Sequence, residues 1–363
     1  NWSMYTTYII GSIILILCTL IPFLPFQHWT VRAFDFAMVQ VLGLQVIVFV
    51  AAFFLVSRQT EFYILQSLLL MSIVYEISIL YKYTPLYKSG ESAKGSTSSK
   101  SITIISANVY QMNTQFQRFI DLVQREKPDI VLTMESNKAW EKALEVIEKD
   151  YPFQQKVALE NTYGMHLYSK IKFKSSKTNY FVADDIPSIE CELISDDGFE
   201  FRLFGVHPPP PTPTEEPNSK ERDGELLSVA KVIRKFEKPT IVVGDFNNVA
   251  WARSSVLFKK TSKLIDPRMG RGLISTFHAK YWLLRFPIDQ MYHSADILVE
   301  ELKTLENFNS DHLPLYCKFH IDHFDDTNEE EVKDLEQGEM EEVEEFIEEG
   351  KEEEGDREEK VEN

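Results

Sequence analysis

The chain has 363 residues and a formal charge of −18, of which residues 325–363 carry −17. The rest is close to neutral, which excludes the strongly basic body expected of a protein that grips long nucleic acids by charge alone. Three cysteines (Cys18, Cys191 and Cys317) without CxxC spacing exclude a disulfide framework and a cysteine metal site, and leave only a Cys191–Cys317 bridge to consider.

Residues 1–31 contain no charged side chain, and 5–26 are almost wholly apolar. A second charge-free stretch covers 36–57, and a third covers 62–81 with Glu76 as its one charge. Each has roughly the 20 residues a helix needs to cross a hydrocarbon core, and none has the polar face of a soluble core helix. Residues 1–83 are therefore expected to form three transmembrane helices, with Pro25, Trp29 and Arg32 at an interfacial turn. Glu76, one turn from the end of its span, is expected to snorkel or to pair with Lys82. Residues 84–100, rich in Ser, Gly and Lys, read as a flexible linker.

From Ser101 onward, short β-branched runs alternate with amphipathic stretches. ITIISANVY, DIVLTME, LFGVH, TIVVGDF and LPLYCKFHI predict strands. TQFQRFIDLVQREK, AWEKALEVIEK and ERDGELLSVAKVIRKFEK predict helices. Residues 101–322 thus form a layered α/β domain. Residues 323–363, Glu-rich and poor in large apolar side chains, are expected to be a disordered or transiently helical acidic tail. Only Val343, Phe346 and Ile347 suggest a docking stripe within it.

Polar residues recur where strands end. Asn108, Glu135 and His207 each close one, Asp245 and Asn247 close a fourth, and Asp289 and Asp311–His312 lie in FPIDQMY and NSDHLP. Any one of these is as easily a turn or a cap, but several delivered to one rim make an α/β active site. His278, near these motifs, is a candidate for the rim, and the prolines 208–211 stiffen the chain after His207.

The ordered set Asn108, Glu135, His207, GDFN (244–247), Asp289 and SDH (310–312) resembles the endonuclease/exonuclease/phosphatase superfamily. That superfamily includes DNase I-like nucleases, abasic-site endonucleases, neutral sphingomyelinases and inositol-polyphosphate phosphatases. With the apolar spans, NTYGMHLYSK, VHPPPP and GDFNNVAW, the layout is similar to bacterial membrane proteins that carry this domain. The resemblance implies a four-layer α/β sandwich of the DNase I-like type, preceded by three transmembrane helices. It also implies a phosphodiesterase or endonuclease using Mg²⁺ or Mn²⁺ and in-line attack by water.

Glu135 and Asn108, with Asp311, are the expected metal side. Asp245 is expected to orient or deprotonate the attacking water, and Asn247 to hold that water or a phosphoryl oxygen. Protonated His312 is expected to donate to the phosphate, with Asp311 or Asp289 holding its imidazole and His207 as a second cationic or hydrogen-bonding partner. Three positions depart from family nucleases: Tyr110 stands where some carry a carboxylate, Gln290 follows Asp289, and Ser136 follows Glu135. They count against abasic-site activity.

The expected partners are a lipid bilayer and a phosphodiester, either nucleic acid or a phospholipid head group; no protein partner is identifiable. KIKFKSSK (170–177) is the one basic patch. A non-catalytic membrane scaffold with an acidic binding tail is the competing class, and it would be expected to have lost Glu135, Asp245 or His312. The location implied is a multi-pass protein of a bacterial plasma membrane. Arg32, Lys82, Lys88, Lys94 and Lys100 against Arg58 favour a cytoplasmic domain, envelope-anchored relatives favour the opposite, and basic residues ahead of Asn1 would shift the count, so the side stays open.

Overall fold

The computed structural model describes residues 2–88, 99–324 and 327–355. Apolar helices come first: α1 (Trp2–Leu20), the short α2 (Trp29–Phe36), α3 (Met38–Leu55) and α4 (Thr60–Leu80). Three segments, Met4–Phe23, Met38–Leu55 and Thr60–Tyr83, are long and apolar enough to cross a membrane. They pack on one another through Tyr8, Leu15, Val41, Ala52, Phe62, Leu65 and Leu69, while residues such as Ile47, Phe54 and Met71 face outward. A bilayer accepts such a surface and water does not.

Glu76 departs from expectation. It does not snorkel; its carboxylate is buried in the bundle and accepts a 2.6 Å hydrogen bond from Thr19 Oγ1, which in turn accepts from Gln45 Nε2 at 2.7 Å. One polar group from each of the three helices joins this chain, which holds Glu76 Oε1 inside the bundle while Glu76 Oε2 and Gln45 Oε1 stay buried without a partner.

The remaining elements are β1 (Ile102–Asn108), α5 (Phe116–Glu126), β2 (Ile130–Met134), α6 (Lys138–Leu144), β3 (Phe153–Val157), β4 (Met165–Ser169), β5 (Lys172–Asn179), β6 (Ser188–Ile194) and β7 (Glu200–Val206). After them come α7 (Lys220–Ile233), β8 (Thr240–Asp245), α8 (Arg253–Ser262), β9 (Asp289–His293), β10 (Ile297–Thr304), β11 (Leu315–Ile321) and α9 (Glu339–Glu352). They make a six-stranded sheet, β10-β11-β1-β2-β4-β3, and a five-stranded sheet, β5-β6-β7-β8-β9. Side chains of both, among them Ile104, Leu132, Leu167, Leu203, Ile241 and Phe319, interdigitate in the central core. α5 and α6 cover one outer face, and α7, α8 and α9 the other. This is the expected four-layer α/β sandwich.

Each sheet has one parallel pair, β1 with β2 and β7 with β8. Parallel neighbours end at the same edge, so Asn108, Glu135, His207 and Asp245 are delivered side by side. Cys191 and Cys317 are both free and buried, so no bridge forms. The linker expected at 84–100 lies outside the described residues from 89 to 98.

The acidic segment corrects the sequence expectation of a disordered tail. Its stretch 339–352 is a helix that buries Val343 and Ile347 against α7, and its carboxylates meet lysines and arginines of α7 and α8. Lys231 pairs with Glu344 at 2.5 Å, Arg253 with Glu339 at 3.0 Å and Lys260 with Glu336 at 2.8 Å. The helices approach so closely that a Cβ on Gly350 would lie 2.8 Å from the Lys220 carbonyl oxygen. Composition suggested a solvated tail because the neutralising cations lie some 80 to 110 residues away in sequence. The final residues, 356–363, lie outside the described residues.

Replacing Ile347 by Ala removes a buried aliphatic side chain and should destabilise the domain by about 2–4 kcal/mol. Thermal unfolding of the full chain in detergent checks this; an unchanged midpoint would mean that α9 does not belong to the core.

Candidate active site

The site is built around a cross-strand pair. β8 and β9 are antiparallel, and their register sets Asp245 directly opposite Asp289. Both are buried, at 1 % exposure. Two carboxylates so placed repel unless a cation or a proton lies between them. His312 lies there: its Nδ1 is 2.6 Å from Asp289 Oδ2, and its Nε2 is 3.6 Å from Asp245 Oδ2. Burial alone would lower the imidazole's pKa, but the charges of Asp289 and then Asp245 overcome it and hold His312 protonated well above the usual histidine range. Asp245 is itself pushed up by burial, against the pull of His312.

The sequence predicted Asp311 or Asp289 as the partner of His312, and the structure brings Asp289 to it. Asp311 sits half-buried beside Ser310, and its main-chain oxygen accepts from Ala279 N at 2.7 Å. Its charge nonetheless raises the pKa of both Glu135 and His312.

Asn108 joins the halves of the site. Its Nδ2 donates to Glu135 Oε1 at 2.9 Å and to Asp245 Oδ2 at 3.1 Å, while its Oδ1 accepts from Tyr110 N at 3.0 Å. Glu135 Oε2 accepts from Gln111 N at 3.0 Å, and burial raises the carboxyl's pKa. His207 Nε2 is 3.7 Å from Asp245 Oδ2. Burial, then the charge of His312, lowers the His207 pKa to about 3, which favours the hydrogen-bonding role expected of it over the cationic one. Asn247 lies at the rim, but its Nδ2 is turned to Pro208 O at 2.9 Å. The VHPPPP segment thus holds Asn247 as well as His207.

Backbone strain collects at the same rim. Tyr110, Glu135 and Asn247 all have positive φ, at 57°, 59° and 48°. Such residues persist only where surrounding bonds fix them, and they concentrate at functional sites. For Asn247 those bonds are its own N–H to Asp245 Oδ1 (2.9 Å) and its carbonyl to Arg222 Nη1 (3.0 Å).

Several supporting residues were not anticipated from sequence. Thr276 Oγ1 donates to Asp289 Oδ2 at 2.5 Å. Gln290, read only as a departure from the family pattern, donates to Asn248 O and accepts from Arg268 Nη2 at 2.9 Å. Arg268 is bound in turn by Asp266 at 2.7 Å. The signals were present as polar residues inside apolar runs, but each partner lies 13 to 42 residues away. His278 lies half-buried on the rim, its ring 4.8 Å from that of Tyr281.

The donors suit a hard divalent cation. Asp245, Asp289 and His312 present ligand atoms all within 4.8 Å of one another, and Asp289 Oδ1 is buried without a hydrogen-bond partner. Because His312 is itself held as a cation against Asp289, the Asn108–Glu135 side of Asp245 is the better place for a metal.

The sequence model described as the Endonuclease/Exonuclease/phosphatase family matches residues 105–312. Among solved structures, D. rerio TDP2 complexed with a single-strand DNA product is similar at 17 % identity and a TM-score of 0.52, over 61 % of this chain and 99 % of that one. The human Nocturnin catalytic domain with bound sulfate is similar at 17 % identity and 0.50, over 62 % and 97 %. A conserved protein of unknown function from Enterococcus faecalis is similar at 15 % identity and 0.50, over 61 % and 100 %. These likenesses establish the fold. No curated protein matches the chain.

Gly244 has φ 151°, and a Cβ there would lie 2.0 Å from Val206 O, in the strand that carries His207. Gly244→Ala should therefore destabilise the domain by about 3 kcal/mol or more. A thermal melt indistinguishable from wild type would refute that close approach.

Proposed function

The chain belongs to the endonuclease/exonuclease/phosphatase family, a family of phosphoester hydrolases, and on that premise we propose that it is a membrane-anchored, divalent-metal-dependent phosphodiesterase. The observation that carries this reading is the buried set Asp245, His312 and Asp289, with Asn108 and Glu135 on its flank.

A divalent cation, Mg²⁺ or Mn²⁺, would be held by Glu135 and Asn108 with Asp311 nearby, where it neutralises phosphoryl oxygens and polarises the scissile bond. The Asn108 amide must then turn its oxygen inward, which exchanges its bonds to the two carboxylates for one to the metal. Asp245, its pKa pushed up by burial to about 7 and surrounded by His207, His312 and Asn108, is placed in its carboxylate form to orient a water and take its proton. His312, fixed at Nδ1 by Asp289 and protonated, presents Nε2–H to a phosphoryl oxygen. Neutral His207 adds a hydrogen bond. Asn247 keeps Pro208 and Asp245 in register, so its expected contact with water or phosphate requires a change of side-chain orientation.

The scaffold alternative gains no support, because Glu135, Asp245 and His312 are all retained and brought together. The three apolar helices support anchoring in a bilayer. Both nucleic acid and phospholipid head groups offer the phosphodiester this chemistry needs.

With the full chain in detergent, bis-p-nitrophenyl phosphate should be hydrolysed with Mg²⁺ or Mn²⁺ and not with EDTA. Asp245→Ala and His312→Ala should each lower turnover by about 10²–10⁴-fold. Activity that survives either substitution, or that persists in EDTA, would refute the assignment.

A further inference from the structure

Between β8 and β9 the chain makes an excursion whose tip the catalytic chemistry does not use. Residues 276–286 fold back on themselves as a hairpin-like loop, with Phe277 paired to Phe286 and also bridged to His312. At its tip is a 3-10 turn, Trp282–Leu284, with no buried residue. Four consecutive apolar side chains stand out there: Tyr281 at 59 % exposure, Trp282 at 76 %, Leu283 at 63 % and Leu284 at 56 %. Lys280 and Arg285 flank them. The Arg285 guanidinium donates to the carbonyls of His278 and Ala279, so the tip is braced from within.

A patch of this kind is costly in water and marks a surface that something apolar covers. Its position identifies the cover. Gln40 Nε2, in the first turn of α3, donates to Leu283 O at 2.8 Å, and Phe36, at the end of α2, meets Phe286 edge to face. α3 has 18 residues, or about 27 Å of helix, nearly the full hydrocarbon thickness, so its first turn lies at the edge of the apolar layer. The tip is fixed to that turn. Phe23 and Phe26 beyond α1, and Tyr81 beyond α4, are exposed at the same end of the bundle. An apolar tip between two cations is what a head-group boundary accommodates, with the rings in the acyl layer and Lys280 and Arg285 at the phosphates.

From the tip an unbroken line of rings leads to the catalytic histidine. Tyr281 lies 4.8 Å from His278 between ring centroids, and Phe277 lies 4.8 Å from His312. Among the described residues a long polyanion finds no comparable path. The lysines of the basic strand β5 are engaged by glutamates of the neighbouring strands, Lys174 with Glu200 of β7 at 2.6 Å and Lys177 with Glu190 of β6 at 3.1 Å.

We propose that the Tyr281–Leu284 tip is inserted in the leaflet that anchors the chain, and that the substrate is a phospholipid phosphodiester drawn from that leaflet along Tyr281, His278 and Phe277. This rests on the phosphodiesterase reading above. Water forms a P–O bond as the P–O bond to one alcohol breaks. One proton of the water goes to Asp245 and the leaving oxygen takes up one from solvent, so the products are a phosphomonoester and an alcohol.

The test uses the full chain in vesicles of phosphatidylethanolamine, phosphatidylglycerol and phosphatidylcholine. Brominated phosphatidylcholine should quench tryptophan emission, and Trp282→Phe should remove part of that quenching. A Trp282→Glu/Leu283→Glu variant should lose at least about tenfold of its vesicle-lipid hydrolysis, since two apolar side chains leave the acyl layer, while bis-p-nitrophenyl phosphate turnover stays unchanged. Turnover of the soluble ester together with unquenched Trp282 would overturn the insertion. Lipid hydrolysis indifferent to the double variant, or cleavage of single-stranded DNA with vesicle lipid untouched, would overturn the substrate assignment. A wild-type chain inactive even on the soluble ester would sink the hydrolase reading itself, and the lipid assignment with it.

Discussion

Two buried carboxylates facing one another across a pair of antiparallel strands are the constraint on which the rest of the domain turns. Asp245 and Asp289 are register partners, and neither is open to water. In a poorly polarisable interior they cannot both be ionised without a positive charge between them. The fold places the His312 imidazole there from a different segment, the loop before β11, which belongs to the other sheet. The two sheets must therefore meet at this edge for the charges to be tolerated. Thr276, Asn108 and the Asn247 N–H supply further hydrogen bonds, from the excursion before β9, the end of β1 and the turn after β8.

Much of this was legible from the sequence, for a physical reason. A strand that ends in a polar residue after an apolar run must place that residue at a sheet edge, and parallel neighbours share an edge. Asn108, Glu135, His207, Asp245 and Asn247 were therefore readable together, as polar strand ends sharing a rim, while Asp289 and His312 were carried by the family resemblance. What was not readable is register. Whether Asp289 or Asp311 holds His312 depends on how β9 aligns with β8, and no local pattern encodes a cross-strand pairing 44 residues apart. The Arg268–Gln290–Asn248 chain was hidden for the same reason. So was α9: one acidic segment taken alone cannot fold, and the cations that let it fold sit on α7 and α8.

Glu76 and the α9 glutamates make one argument in two solvents. Each is a charge-bearing group that sequence reading sends toward water, and each instead takes partners from another element. In the helix bundle the partners are hydroxyl and amide groups, Thr19 and Gln45, because hydrocarbon offers nothing else. On the domain they are lysines and arginines of α7 and α8, which meet Glu344 and Glu336 at a surface where both carboxylates stay open to water. Composition predicts the preference of an isolated group, and packing decides whether that group is isolated.

The same reasoning applies to the junction between the bundle and the domain. Trp251, four residues beyond Asn247, donates its indole N–H to Asp35 O of α2 at 2.7 Å and stacks edge to face on Tyr83 at the end of α4. Tyr83 reaches Asp266, whose partner Arg268 holds Gln290 beside Asp289. The apolar helices thus touch both strand ends that carry the facing carboxylates, one through the GDFN loop and one through Arg268. A freely hinged tether would have no use for a buried tyrosine and a buried arginine at this place. Rigid docking fixes which way the rim faces, and on the membrane-anchored reading proposed above such a rim would lower the entropy lost when a phosphoester at the edge of the apolar layer is aligned for attack. Orientation relative to the helices, more than any single contact with substrate, is what this junction contributes.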